Sequence, residues 1–215
     1  MLFFLQSFKG TDFLIVALAY IIVIVLSLSL HEFAHGYVAY KCGDQTPKLQ
    51  GRITLNPLKH MDPVGILCCA FFGFGWAKPV QINPTNFRNI KKGIAWTSVS
   101  GVLMNLILGF LGYGLFCLTT LIQSRNFFVL FLQEFFYLLF MLNICLAVFN
   151  FLPIYPLDGF KLIEVCTKYN NKYVQFMHKY GNWILLIFIV FFDGLLYKLI
   201  DLLSYPIIWF WHLIF

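Results

Sequence analysis

His31, Glu32 and His35 stand in the order His-Glu-Phe-Ala-His, directly after an uncharged run from Phe13 to Leu30. Ionisable side chains in so apolar a setting are costly and need a functional reason. Helix positions i and i+4 lie close to the same face, so both imidazoles can share one zinc ion. Glu32, beside the first histidine, is the carboxylate that a metal-assisted hydrolysis requires as general base toward water.

A third protein ligand has to come from elsewhere in the chain, and two aspartates compete for the role. Twelve of the fifteen Lys and Arg fall between Lys41 and Lys92 or between Lys161 and Lys179. The positive-inside tendency places both segments in the cytoplasm and the amino terminus outside. The first span then ends inward near Tyr40 and the third near Leu157, at the same depth. Asp158 follows the third span at once, whereas Asp193 lies roughly 18 Å from the cytoplasmic face on a helical rise. Depth therefore favours Asp158. Its setting, Asn150-Phe-Leu-Pro-Ile-Tyr-Pro-Leu-Asp-Gly159, carries two prolines that interrupt a helix. Irregular backbone within a membrane is tolerated where protein or a water-filled cavity satisfies it, and a hydrolase needs such a cavity. Capping of the following helix is the plain structural alternative for Asp158.

The elements that must position these residues are membrane spans. Hydrophobic residues make up 60% of the 215 and charged residues 11%, which predicts an all-α integral membrane protein. One domain covers 1–215, with about four spans near 13–40, 93–120, 135–157 and 181–198. Pro206 and the tryptophans of the tail predict an interfacial helix over about 202–215, and Leu2 to Phe8 are expected on the membrane surface. Phe13 to Leu30 reads as a retained helix, since no small-residue cleavage site follows it. The six cysteines show no Cys-x-x-Cys pairing and read as small hydrophobes. The net charge of +6 is scattered between spans, which argues for orientation in a lipid bilayer and against nucleic acid as a partner. His60 and Asp62 read as turn residues, and Asp193 is expected to pair with Lys198 or to reach toward the outer face.

Between the first two spans, Gln45 to Arg88 alternates short apolar and polar stretches punctuated by Pro57, Pro63, Pro79 and Pro84. Short re-entrant β-strands are predicted here, with an edge that an extended peptide can join. Phe71-Phe-Gly-Phe-Gly-Trp76 is a candidate gate or membrane-dipping loop.

Taken together, His31-Glu-Phe-Ala-His35 and Asn150-x-x-Pro-x-x-Pro-Leu-Asp-Gly159 make the chain resemble the site-2 protease family, peptidase family M50. The likeness extends through Gly51-Arg-Ile-Thr-Leu-Asn-Pro57 and Phe74-Gly-Trp-Ala-Lys-Pro79, and it is to the small bacterial branch without an inserted PDZ domain. The resemblance implies one zinc ion per chain held by His31, His35 and Asp158, with Glu32 catalytic. It implies substrate contacts from Asn150 and, less directly, from Asn105 in Gly101-Val-Leu-Met-Asn105, the plain structural alternative for each being an interhelical hydrogen bond that holds the spans together. Val102 stands where the family usually has proline, and Phe160 where a second glycine often follows Asp-Gly. The activity implied is intramembrane cleavage of transmembrane protein or peptide substrates, in a bacterial inner membrane with the site toward the cytoplasm. A zinc permease, or a catalytically silent module that captures membrane helices, would use the same ligands. No oligomeric state follows from the sequence.

Overall fold

Long apolar runs with few charges leave the backbone one economical way to satisfy its own polar groups, which is the helix. The computed structural model describes residues 11–65, 68, 77–124, 126–167 and 171–215, and helices dominate them. In chain order these are α1 (Thr11–Cys42), α2 (Thr46–Leu49), α3 (Ile90–Thr120), α4 (Phe127–Phe151), α5 (Asp158–Cys166), α6 (Lys172–Phe191) and α7 (Asp193–His212). Asparagine opens three of them: the side chains of Asn89, Asn126 and Asn171 accept backbone N–H groups of Lys92, Val129 and Tyr173, satisfying donors that a helix start leaves unpaired.

Three helices, α1, α3 and α4, are long and apolar enough to cross a membrane, and α6 with α7 makes a fourth candidate if that bent pair is one span. Their outward faces expose large apolar side chains such as Leu14, Leu18, Ile107 and Leu111. In water such a surface would be unfavourable, and it fits a multi-pass integral membrane protein.

The core forms where the three long helices meet. Val16, Ala19, Tyr20 and Val23 of α1 pack on Leu138 and Leu139 of α4. Tyr113 and Cys117 of α3 meet Phe140, Ile144 and Val148 of α4. A polar link runs through the first contact, where Asn143 Nδ2 donates to Ser27 Oγ at 2.8 Å, both residues fully buried.

The structure departs from the sequence expectations in three places. First, α4 begins at Phe127 rather than near 135, because Gln133 is accommodated inside the helix: its side-chain amide donates to the Thr119 carbonyl at the end of α3. Second, the stretch 181–198 is not one helix. The chain bends by 82° between α6 and α7, and one face of the tail packs along α3 and α4. Trp211 Nε1 donates to the Phe110 carbonyl, and the Tyr113 hydroxyl lies 2.9 Å from His212 Nε2.

Third, the re-entrant β-strands are absent among the described residues. One antiparallel bridge pairs Met61 with Ala77, and the Lys78 N–H donates to the His60 carbonyl beside it. Prolines remove ladder donors here, and asparagines divert others. Asn56 and Asn83 cap single 3-10 turns at Pro57–Lys59 and Pro84–Asn86. His60 closes the Pro57–Lys59 turn as a turn residue and is fully buried, with Nε2 on the Thr54 carbonyl, and Asp62 caps a turn through the N–H groups of Val64 and Gly65. The expectations for Leu2 to Phe8, for Phe71 to Trp76 and for the Asp193 side chain lie outside the described residues.

Candidate metal centre

The Phe13 to Leu30 run carries α1 into the bundle without a break, so His31, Glu32 and His35 arrive on rigid helix rather than on a loop. Asp158 comes from the opposite direction. The chain leaves α4 at Phe151, turns through Leu152–Leu157, and restarts as α5 with Asp158 in its first turn. This return is tight enough that a Cβ on Gly159 would strike the Phe151 carbonyl, so the residue after the aspartate has to be glycine.

Three donor atoms converge as a result. His31 Nε2 and His35 Nε2 are 2.9 Å apart, His35 Nε2 and Asp158 Oδ2 are 2.9 Å apart, and His31 Nε2 and Asp158 Oδ2 are 3.3 Å apart. All three residues are buried. A tetrahedral zinc with ligand bonds of about 2.0–2.1 Å spaces its ligand atoms about 3.3 Å apart, so this triangle needs only a slight expansion to hold the ion. Asp158 Oδ2 is also buried without a well-directed hydrogen bond. A cation between the imidazoles supplies its missing partner.

The surroundings fix each ligand. Lys161 Nζ holds the other carboxylate oxygen, Asp158 Oδ1, at 2.9 Å. Burial opposes ionisation of this carboxyl, yet the two imidazoles and the Lys161 ammonium outweigh it and hold its pKa well below the usual range. His35 Nδ1 donates to the Thr97 carbonyl at 2.7 Å, which leaves Nε2 free to bind. Asn105 is fully buried behind His31, its amide 3.2 Å from Nδ1. Asn105 Oδ1 is otherwise buried and unpartnered, and turning the amide by half a rotation sets it on the Nδ1 hydrogen that a metal-binding Nε2 implies. The expected substrate contact of Asn105 thus meets a side chain turned to a ligand. Asn150 points its amide at the Leu146 carbonyl of its own helix.

Gly101 explains why α3 can come so close. A Cβ there would lie 2.5 Å from both His31 Cε1 and His35 Nε2. Phe160, in place of a second glycine, is buried and packs on Val174 and Met177 of α6.

Glu32 lies beside the triangle, and its Oε2 accepts the Val80 N–H at 2.8 Å. Val80 belongs to an extended segment, 78–83, that crosses the site. Asp44 pins the far end of this segment by accepting from Asn83 N and Asn86 Nδ2, while also taking the N–H and hydroxyl of Thr46. Asp44 is fully buried, and although burial pushes its pKa up, these hydrogen bonds prevail and set it below the ordinary value. Sequence reasoning passed over Gly101, Lys161, Val80 and Asp44. Only Lys161 left a local signal, three residues after Asp158 on the same helix.

Comparison with known proteins places this geometry. The model of "Peptidase family M50" matches residues 118–192, a stretch that contains Asp158. The chain is 42% identical over 146 residues to "Putative zinc metalloprotease YwhC" of Bacillus subtilis, covering 67% of each chain. It is 31% identical over 149 residues to "Putative zinc metalloprotease Rip2" of Mycolicibacterium smegmatis, and 30% identical over 145 residues to the protein of that name in Mycobacterium tuberculosis. These matches cover 65% of this chain, which spans about half the length (54%) of both mycobacterial relatives. No solved structure matches.

Proposed function

Because the chain belongs to peptidase family M50, the site-2 protease family, we propose that it is a zinc-dependent endopeptidase that hydrolyses peptide bonds in or near transmembrane segments of other membrane proteins. One observation carries this reading: two histidines and an aspartate converge within 3.3 Å with a glutamate next to them on the same helix. The names of the relatives point to zinc, and the two-nitrogen, one-oxygen donor set suits it.

Bound there, zinc would polarise the scissile carbonyl and lower the pKa of water toward about 7. The chain's own groups do the rest. His31, His35 and Asp158 would hold the ion. Glu32 takes the proton of the attacking water and returns it to the leaving amine, and the Val80 N–H holds its carboxylate in place. Thr97 and Asn105 keep the imidazoles turned inward, and Lys161 keeps Asp158 ionised and fixed through one oxygen. Asn150, at the end of α4, would turn its amide from the Leu146 carbonyl to the substrate backbone or the developing oxyanion, a role worth about 2.7–4 kcal/mol per donor. The clustering of Lys and Arg in 41–92 and 161–179 supports an inner-membrane orientation with the site toward the cytoplasm. Cleavage at that depth would serve regulated intramembrane proteolysis.

Purified protein in liposomes tests this with a panel of single-span membrane proteins. Cleavage that a chelator stops and added zinc restores is the expected result. Cleavage indifferent to the chelator would contradict the metal assignment.

A further inference from the structure

A partly open cleft of about 240 Å3 borders the metal centre at His35 and at Lys161, the partner of Asp158. Val80 and Ile82 of the extended segment and Ile94, Thr97 and Ser98 of α3 contribute to its lining. Resting on the protease reading above, we propose that this cleft is the subsite for one of the two side chains flanking the cut bond. Its occupant is a large apolar side chain such as Leu, Met or Phe, and Ile82 and Ile94 set its size limit.

Position, chemistry and size each support that occupant. His35 is both a candidate ligand and part of the cleft lining, and Lys161 of the lining holds Asp158, so the cleft borders the candidate metal centre. Val80, Ile82, Pro84, Phe87 and Ile94 make more than half of the lining residues apolar, beside the hydroxyl-bearing Thr97 and Ser98. The one charge at the cleft, on Lys161, already faces Asp158 Oδ1 at 2.9 Å, so it does not call for an acidic partner. A cavity of about 150 Å3 lined by apolar side chains takes up benzene, so the larger cleft here admits a phenyl or isobutyl group, while a methyl group would leave most of it empty. Ile82 and Ile94 are only half-buried, so replacing them reshapes the cleft rather than the core. Val80 is a poor probe, because it also carries the N–H that holds Glu32.

Two measurements decide the matter. In the first, zinc-loaded wild type, Ile94→Ala and Ile94→Trp are compared on a single-span substrate in liposomes, with Ala, Leu, Phe or Asp at each residue flanking the cut. At one of those positions the wild type is expected to prefer Leu or Phe over Ala by at least about 10-fold in kcat/KM, in line with the small discrimination hydrophobic pockets give per methylene. Ile94→Ala should move the preference toward Phe, and Ile94→Trp toward Ala. These opposite shifts cannot both arise from misfolding. Equal rates for Ala and Phe, a preference for Asp, or preferences that ignore both substitutions would overturn the proposal.

In the second measurement, Ile82→Cys is introduced into a Glu32→Gln chain whose native cysteines are replaced by serine. A short bismaleimide then links it to a substrate with one cysteine scanned along the cleavage region. Linkage confined to one position flanking the cut supports the subsite, and linkage everywhere or nowhere refutes it. If the wild type cuts nothing in the panel, the protease reading fails on its own and the crosslinking pattern still decides whether the cleft holds peptide.

Discussion

At the level of single residues, the histidine pair and its glutamate were legible because helix spacing alone brings i and i+4 together, and Asp158 was legible because depth in the membrane ranks the aspartates. The parts that make the site work were not. Gly101 reads as one small residue among several until α3 is laid against α1, when its missing Cβ becomes the reason both imidazoles fit. Asn105 offered either a substrate contact or an interhelical hydrogen bond, and the packing sets its amide against His31 Nδ1 of α1, a partner the sequence alone does not name. Gly101→Ala and Asn105→Leu are therefore expected to weaken zinc binding by about 10- to 100-fold, the range found for partners that orient a metal ligand. Competition with a chromophoric chelator reads this directly. Unchanged zinc affinity in Asn105→Leu would return that residue to the substrate.

Elements were legible where a single run of sequence decides them. The three long helices follow from uncharged stretches, although the charge of Glu134 set the expected start of the third span at Phe135, eight residues after α4 begins. Pro206 and the tryptophans suggest an interfacial helix, and the packing adds a contact remote in sequence: Trp211 finds the Phe110 carbonyl and packs where α3 has Gly114. Filling that position with Gly114→Leu should cost about 1–3 kcal/mol by overpacking and release the tail, seen as a lower melting temperature and faster hydrogen exchange in α7. The loop between α1 and α3 failed as a set of strands because its donors go to side chains, above all Asp44. Since the folded pKa of Asp44 lies below its ordinary value of 3.8, its ionised form stabilises the loop above about pH 4, and that contribution is lost as pH falls through the folded value. As pH falls below about 4 the loop should become progressively more sensitive to protease. Asp44→Asn, which keeps one acceptor and loses the charge, should already be sensitive at pH 5.

The whole molecule is a bundle whose apolar surface faces outward and whose polar groups converge inside, an inversion that composition alone foretold. Its orientation rests on the basic residues, so single cysteines replacing Lys59 and Ser124 should be labelled from opposite faces of the membrane, Lys59→Cys from the cytoplasm. Labelling of both from one face would undo the depth argument that selected Asp158, though the converged triangle would stand. The central claim is that a metal held by His31, His35 and Asp158 works with Glu32 as its base, and the most direct measurement compares wild type with Glu32→Gln for bound zinc and for cleavage in the same preparation. The account predicts equal zinc in both and a loss of cleavage of at least about 10²-fold in the variant. Equal cleavage by the two proteins would contradict it.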